Sequence, residues 1–179
     1  MGPLLSASSF IDGLNRRIGM GLYWLVLVVV LISSTNAVVR KVFDMSSNAW
    51  LELQWYLFSA IFMGCAGYVL LANEHIRIDI VNSRLDPQTR NWVDVIGHVF
   101  FLIPLCLIMI YESWPYFLDA YISGEQSSNA GGLVRWPVRI LMIVGFVLLL
   151  AQALSELIKR IAVMRGLIPD PRGEKSGPH

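Results

Sequence analysis

From Gly19 to Val39 the chain carries no charged residue, and the centre of this run, Leu25 to Ile32, is built only of leucine, valine and isoleucine. A helix needs roughly 20 predominantly apolar residues to cross the hydrocarbon core of a bilayer. Three further runs of similar length follow, at about 50–71, 95–114 and 137–158. The four together predict an all-α integral membrane protein with four transmembrane helices. Composition agrees: 55% of the 179 residues are hydrophobic and only 15% charged, an apolar excess that a soluble domain of this size could not bury. Arg16 and Arg17 precede the first run, but no small-residue cleavage site follows it, so it reads as a retained span and not as a signal peptide.

The connections have their own signals. Arg40, Lys41 and Asp44 open a short link, and Ser46, Ser47 and Asn48 offer N-cap chemistry before the second span, so spans one and two should form a tight hairpin. Asp86 followed by Pro87 predicts an N-cap and first helical position. The helix they start, with Trp92, Val93, Val95 and Ile96 on one side and Arg90 and Asp94 on another, should lie as an interfacial segment leading into the third span. Pro104, in the middle of that span, is expected to kink it. Pro115 and the stretch Ser123 to Gly132 are expected to form a loop, with Pro137 opening the fourth span. Residues 1–164 thus make one membrane domain, and the proline-containing tail 165–179 is expected to be disordered.

Basic residues are retained on the cytoplasmic side of a membrane. Arg16, Arg17, Arg77, Arg84, Arg90, Lys159, Arg160, Arg165, Arg172 and Lys175 fall on one side, and Arg40, Lys41, Arg135 and Arg139 on the other. Ten against four predicts cytoplasmic termini. Trp50, Trp55, Trp114 and Trp136 would then form an outer aromatic belt, with Trp92 at the inner interface.

An ionised side chain at the centre of a membrane helix costs roughly 2.5 to 3.5 kcal/mol on insertion scales. None is central here: Glu52 lies about one turn into the second span, Glu112 near the outer end of the third and Glu156 near the inner end of the fourth. Each can snorkel, pair with a basic neighbour, or pair with a partner subunit. Glu52, Tyr56, Ala60, Gly64, Gly67 and Leu71 share one helical stripe, and its small residues suit close helix approach. The neighbour on that stripe is either in this chain or in another. Gln152, Ser155, Glu156 and Lys159 share a second face, from which Gln152 could hydrogen-bond to an adjacent helix. Cys65 and Cys106 read as packing residues. Asp94 and His98, four apart, suit an interfacial hydrogen bond more than a proton relay.

His75, His98 and His179 are too scattered for a bis-histidine haem site. Phosphate loops, nucleophile elbows, paired interior carboxylates and metal-ligand spacings are missing from the sequence. The expectation is a non-enzymatic chain without metal or cofactor.

The segment ELQWYLFSAIFMGCAGYVLLANEHIRIDI, Glu52 to Ile80, joins an acid, aromatics and a small-residue stripe to a closing run that contains His75, Arg77 and Asp79. It resembles the DctQ-like small membrane subunit of TRAP (tripartite ATP-independent periplasmic) transporters, whose second span ends in a His-x-Arg-x-Asp type sequence. GGLVRWP at Gly131 to Pro137 and Gln-Ala-Leu-Ser-Glu-Leu at Gln152 to Leu157 also look like that family, and the resemblance runs from about Ile18 to Ile161. It implies a bacterial inner-membrane importer with three parts: a periplasmic substrate-binding protein, a large multi-span subunit that binds sodium and substrate, commonly an organic acid, and this small scaffolding subunit. Two rivals from other classes remain at this point. One is a haem-binding or other membrane anchor of a redox enzyme, and the other a self-assembling small carrier.

Overall fold

The structure, a computed structural model, describes residues 2–44, 47–72 and 86–169. It is all-helical, with α1 at Gly2–Phe43, α2 at Asn48–Ala72, α3 at Pro87–Gly97, α4 at Ile103–Ser123 and α5 at Trp136–Met164. A π-helical turn, His98–Leu102, joins α3 to α4 without a break. Four helices, counting α3 through α4 as one, are long and apolar enough to cross a membrane. The 42 residues of α1 reach about 63 Å at 1.5 Å per residue, roughly twice the hydrocarbon thickness. The sequence run from Gly19 accounts for only its second half.

α5 is the axis of the bundle, packing against α1, α2, α3 and α4, while α1 also packs on α2. The interior is polar and small: the fully buried side chains of largest volume are Gln152, Asn15, Cys106 and Ser155. Phe62, Phe101, Tyr111 and Trp24 are among many large apolar residues left exposed. This inversion follows from the solvent. Lipid tails are as apolar as leucine, so helices gain by close approach and interhelical hydrogen bonds and not by hiding large side chains. Both cysteines are free, Cys106 being completely buried.

Local chemistry explains the boundaries. The Asp86 carboxylate accepts from the Gln88 amide at 3.2 Å, capping α3 as the sequence predicted, with Pro87 in the first turn. Asn48, expected as part of a cap, is instead the first residue of α2, and its amide donates to the Ala130 carbonyl at 2.9 Å. Pro104 departs from expectation in how it is absorbed. It sits in the first turn of α4, directly after the π turn in which the Ile103 amide reaches back five residues to His98. A proline ring crowds the carbonyl four residues earlier, here that of Phe100, and the wider π turn makes room for it.

The loop expected from Pro115 is corrected outright: α4 continues through Pro115 to Ser123. Trp114, Phe117 and Tyr121 recur at helical spacing and form a chain of ring contacts 6.0 and 5.8 Å between centroids, ending on Trp136 of α5 at 5.8 Å. Membrane helices tolerate proline where such packing holds the segment. Gly124 ends the helix with φ +59°, a left-handed conformation that suits glycine. At the other end of α5, the Gly166 and Leu167 amides return to Val163 and Ala162. The tail residues 170–179 lie outside the described residues.

Candidate functional site

Two polar clusters sit at opposite ends of the bundle. At the loop end, which carries the α1–α2 and α4–α5 connections, Glu52 faces inward one turn into α2. Its Oε1 accepts from the Ser127 hydroxyl and from the Asn129 side-chain amide at 2.9 Å, and its Oε2 from the Leu133 backbone N–H at 2.7 Å. Tyr56, one turn further along the stripe, donates to the Val134 carbonyl at 3.0 Å. The loop closes on itself through Ser127 N–H to Leu133 O at 3.0 Å. Gly132 is required by space: a Cβ there would fall 2.4 Å from the Ser127 Cβ and 2.9 Å from Glu52 Oε1. The carboxylate therefore clamps the α4–α5 loop onto the start of α2, where the positive end of the helix dipole also favours an anion.

Beside the clamp, Arg139 ties α4 to α5. It donates to the Tyr116 carbonyl at 2.8 Å, pairs with Glu125 at 2.6 Å, and lies 3.7 Å over the Tyr116 ring. Arg139 is buried although it is charged, and these three contacts together supply the compensation that a buried guanidinium needs.

At the termini end, Gln152 of α5 is satisfied on both sides of its amide. It accepts from Asn15 at 2.8 Å, and it donates to Asp12 at 2.8 Å and to Glu156 at 3.2 Å. Asp12 also accepts from Ser155 at 2.8 Å and pairs with Lys159 at 2.9 Å, while Ser8 and Ser155 share a 2.7 Å hydroxyl contact. Lys159 reaches Glu156 at 2.5 Å, and Arg160 reaches Asp94 of α3 at 3.4 Å. Three helices, α1, α3 and α5, are thus joined by carboxylates and cations that meet directly. Asp94 and His98 do not pair side chain to side chain. His98 Nδ1 lies 2.6 Å from the Asp94 backbone carbonyl, and because a carbonyl only accepts, Nδ1 carries the proton.

The small-residue stripe of α2 finds its neighbours within this chain. A Cβ on Gly67 would lie 2.4 Å from Asn15 Oδ1 and 3.1 Å from the Leu148 carbonyl, so α1 and α5 both close on that point. A Cβ on Gly64 would meet Leu22 of α1 at 2.5 Å. Ala60 and Leu71, further members of the stripe, are half-buried. Of the residues singled out from sequence, Glu52 and Tyr56 join the loop clamp, while Gln152 and Glu156 join the network at the termini end. His75, Arg77 and Asp79 lie outside the described residues.

The sequence reading missed Ser8, Asp12 and Asn15. Their signal was available: Ser8, Asp12, Asn15 and Gly19 recur at steps of four, three and four, a helical stripe ending in a glycine that abuts the Tyr68 ring. Gly145 was missed as well, and a Cβ there would fall 2.8 Å from the Met63 carbonyl. Ser127, Asn129 and the Glu125–Arg139 pair had no periodic signal, because a loop's partners depend on where it folds back. Among the described residues no group of three or more His, Cys, Asp or Glu side chains could hold a metal ion. What the arrangement does chemically is hold helices and one loop in register.

Comparison with known families matches residues 29–163 to the DctQ component of the tripartite ATP-independent periplasmic transporters. No curated protein and no solved structure gives a match. The match covers about three quarters of the chain and takes in α2, α3 and α4 entire and all of α5 but its last residue. It includes the Glu52 clamp and the α5 side of the second network, leaving Ser8, Asp12 and Asn15 in the flanking α1 segment. The chain belongs to the DctQ family, the small membrane component of TRAP transporters.

Proposed function

We propose that this chain acts as the scaffold of a sodium-driven importer of organic acids, holding a large multi-span subunit that binds sodium and substrate after a periplasmic binding protein delivers the substrate. The observation that carries the reading is the use to which the polar groups within the spans are put. Glu52, Gln152 and Glu156 all bond to other groups of this same chain. A carrier's coupling site lies near the bilayer midplane, usually at broken helices. These groups instead bond between segments of the bundle, Glu52 near the start of α2 and Gln152 and Glu156 in the C-terminal half of α5, where they stiffen it. On this reading the termini are cytoplasmic and the clamped loop faces the periplasm, in the inner membrane.

Reconstitution tests the role. Liposomes holding this chain alone should take up no carboxylate under a sodium gradient. Adding the large subunit and the binding protein should give uptake, and omitting this chain should abolish it. Undiminished uptake in its absence would refute the scaffold role. For orientation, a cysteine at the exposed Ser128 should react with an impermeant reagent from the periplasmic side, and one at Ser176 should not; the reverse pattern would invert the topology.

A further inference from the structure

Three acids fall in the four apolar runs at about 19–39, 50–71, 95–114 and 137–158, and two of them, Glu52 and Glu156, are matched by internal donors. The third, Glu112 of α4, is exposed and makes no hydrogen bond or ion pair among the described residues. We infer that the face of α4 around Glu112 is the docking surface for the large subunit, and that Glu112 there pairs with a lysine or arginine carried by a helix of that subunit. The inference rests on the scaffold reading above and names the place and the chemistry of the contact.

Depth is the first argument. The sequence placed Glu112 near a span end at 114, where a carboxylate could reach water. The structure carries the same helix on through Pro115 to Ser123. A window of about 20 residues, enough to cover the hydrocarbon, that starts at Val99, after His98 as the last acidic or basic side chain before Glu112, ends at Leu118. Glu112 is then six residues, about 9 Å, inside that boundary. It also lies one turn deeper than Tyr116, whose carbonyl holds Arg139.

Direction is the second argument. Side chains on a helix lean toward its N-terminus, and the N-terminal end of α4 is the end away from the clamped loop. By that lean the Glu112 carboxylate favours the direction away from the nearer water interface, and its stem is shorter than the lysine and arginine stems that snorkel over such a distance. A charge in that position is rare in a membrane unless it is paired or faces a bundle interior.

The surroundings supply the third argument. Phe101, Leu105, Ile108 and Glu112 recur at steps of four, three and four on one stripe, and the first three are 72%, 51% and 59% exposed. α4 packs on α5, and this stripe is left uncovered. An apolar stripe alone would suit lipid. One that includes an unmatched carboxylate at hydrocarbon depth needs a cation, and a protein helix can fix a cation at that level.

The test uses the assembled membrane complex. With this chain tagged, Glu112→Gln should lower the co-purified large subunit at least about tenfold, and Glu112→Lys further, since removing one member of a desolvated pair leaves the other charge unpaired. Each variant's own elution and thermal unfolding should match the parent, because Glu112 bonds to no other described residue. A photo-crosslinking residue at Ile108 should form an adduct with the large subunit. Mapping that adduct identifies a basic residue whose replacement by glutamate should restore assembly to Glu112→Lys. Adducts only with lipid, with a second copy of this chain or with the binding protein would overturn the inference, as would parental co-purification by both variants. If the unmodified chain brought down no large subunit, the scaffold reading would fall first, and the inference with it.

Discussion

The two ends of the bundle hold together by different means. At the loop end one carboxylate, Glu52, gathers donors from a single connection, residues 127 to 133, and everything it organises is loop. At the termini end charged and amide groups from α1, α3 and α5 interlock, joining residues more than 130 positions apart such as Asn15 and Gln152. The first arrangement is a clamp whose failure frees a loop, the second a staple whose failure lets helices part. The difference shows that a polar group in a membrane helix acquires its role from what its neighbours can donate, and not from its depth alone.

If the staple and the clamp are separate devices, substitutions at the two ends should differ in kind as well as in size. The largest effect belongs to Gly67→Leu. The new side chain would meet Asn15 and the Leu148 backbone together; the backbone cannot swing aside, and moving Asn15 breaks its bond to Gln152, so a loss of about 3 kcal/mol is expected. Unfolding of the solubilised chain followed by circular dichroism measures it, and parental stability would show that α1 and α5 do not close on this point.

Next comes Gln152→Leu, which leaves the completely buried Asn15 amide without its acceptor and removes one donor from Asp12. The expected cost is about 1 to 2 kcal/mol. A double-mutant cycle with Asn15→Leu should show that the two losses are not additive; simple additivity would mean the amides do not act as a pair.

Glu52→Ala should hardly move global unfolding, yet limited proteolysis between residues 124 and 135 should accelerate by roughly tenfold, because only a local opening is made easier. A fall in helix stability as large as that of Gln152→Leu would erase the distinction between clamp and staple. Smallest of all should be Gly64→Ala. Its Cβ meets only the far end of the Leu22 side chain, which can rotate, so a change within about 0.5 kcal/mol is expected in the same unfolding assay.

Much of this fold was legible because lipid imposes simple rules. A run such as Gly19 to Val39 must be helical, since hydrocarbon offers its backbone no other hydrogen-bonding partners. Asp86 and Pro87 could start a helix from local chemistry alone. Pro115 misled, because proline's local preference against helix interiors competes with the packing of Trp114, Phe117 and Tyr121, and that packing is invisible in a linear pattern. The π turn before Pro104 was equally hidden, because the proline announces ring crowding but not how the helix absorbs it.

The sequence by itself determined that the chain spans a membrane four times, that Gly64 and Gly67 mark a helix contact, and that the segment around Glu52 to Ile80 resembles DctQ proteins. The first two follow from composition and spacing along one helix, and the third is a resemblance carried by the residues of that segment. Only the tertiary structure decided which helix fills the glycine stripe, that α5 is the axis, that Asp12 and Asn15 complete the Gln152 network, and that Glu52 and Glu156 are satisfied while Glu112 is not. The reason is physical: helical spacing reveals which residues share a face, but whether a face meets another helix, a loop or lipid is set by interactions between segments far apart in the chain. Those interactions exist only once the helices have packed.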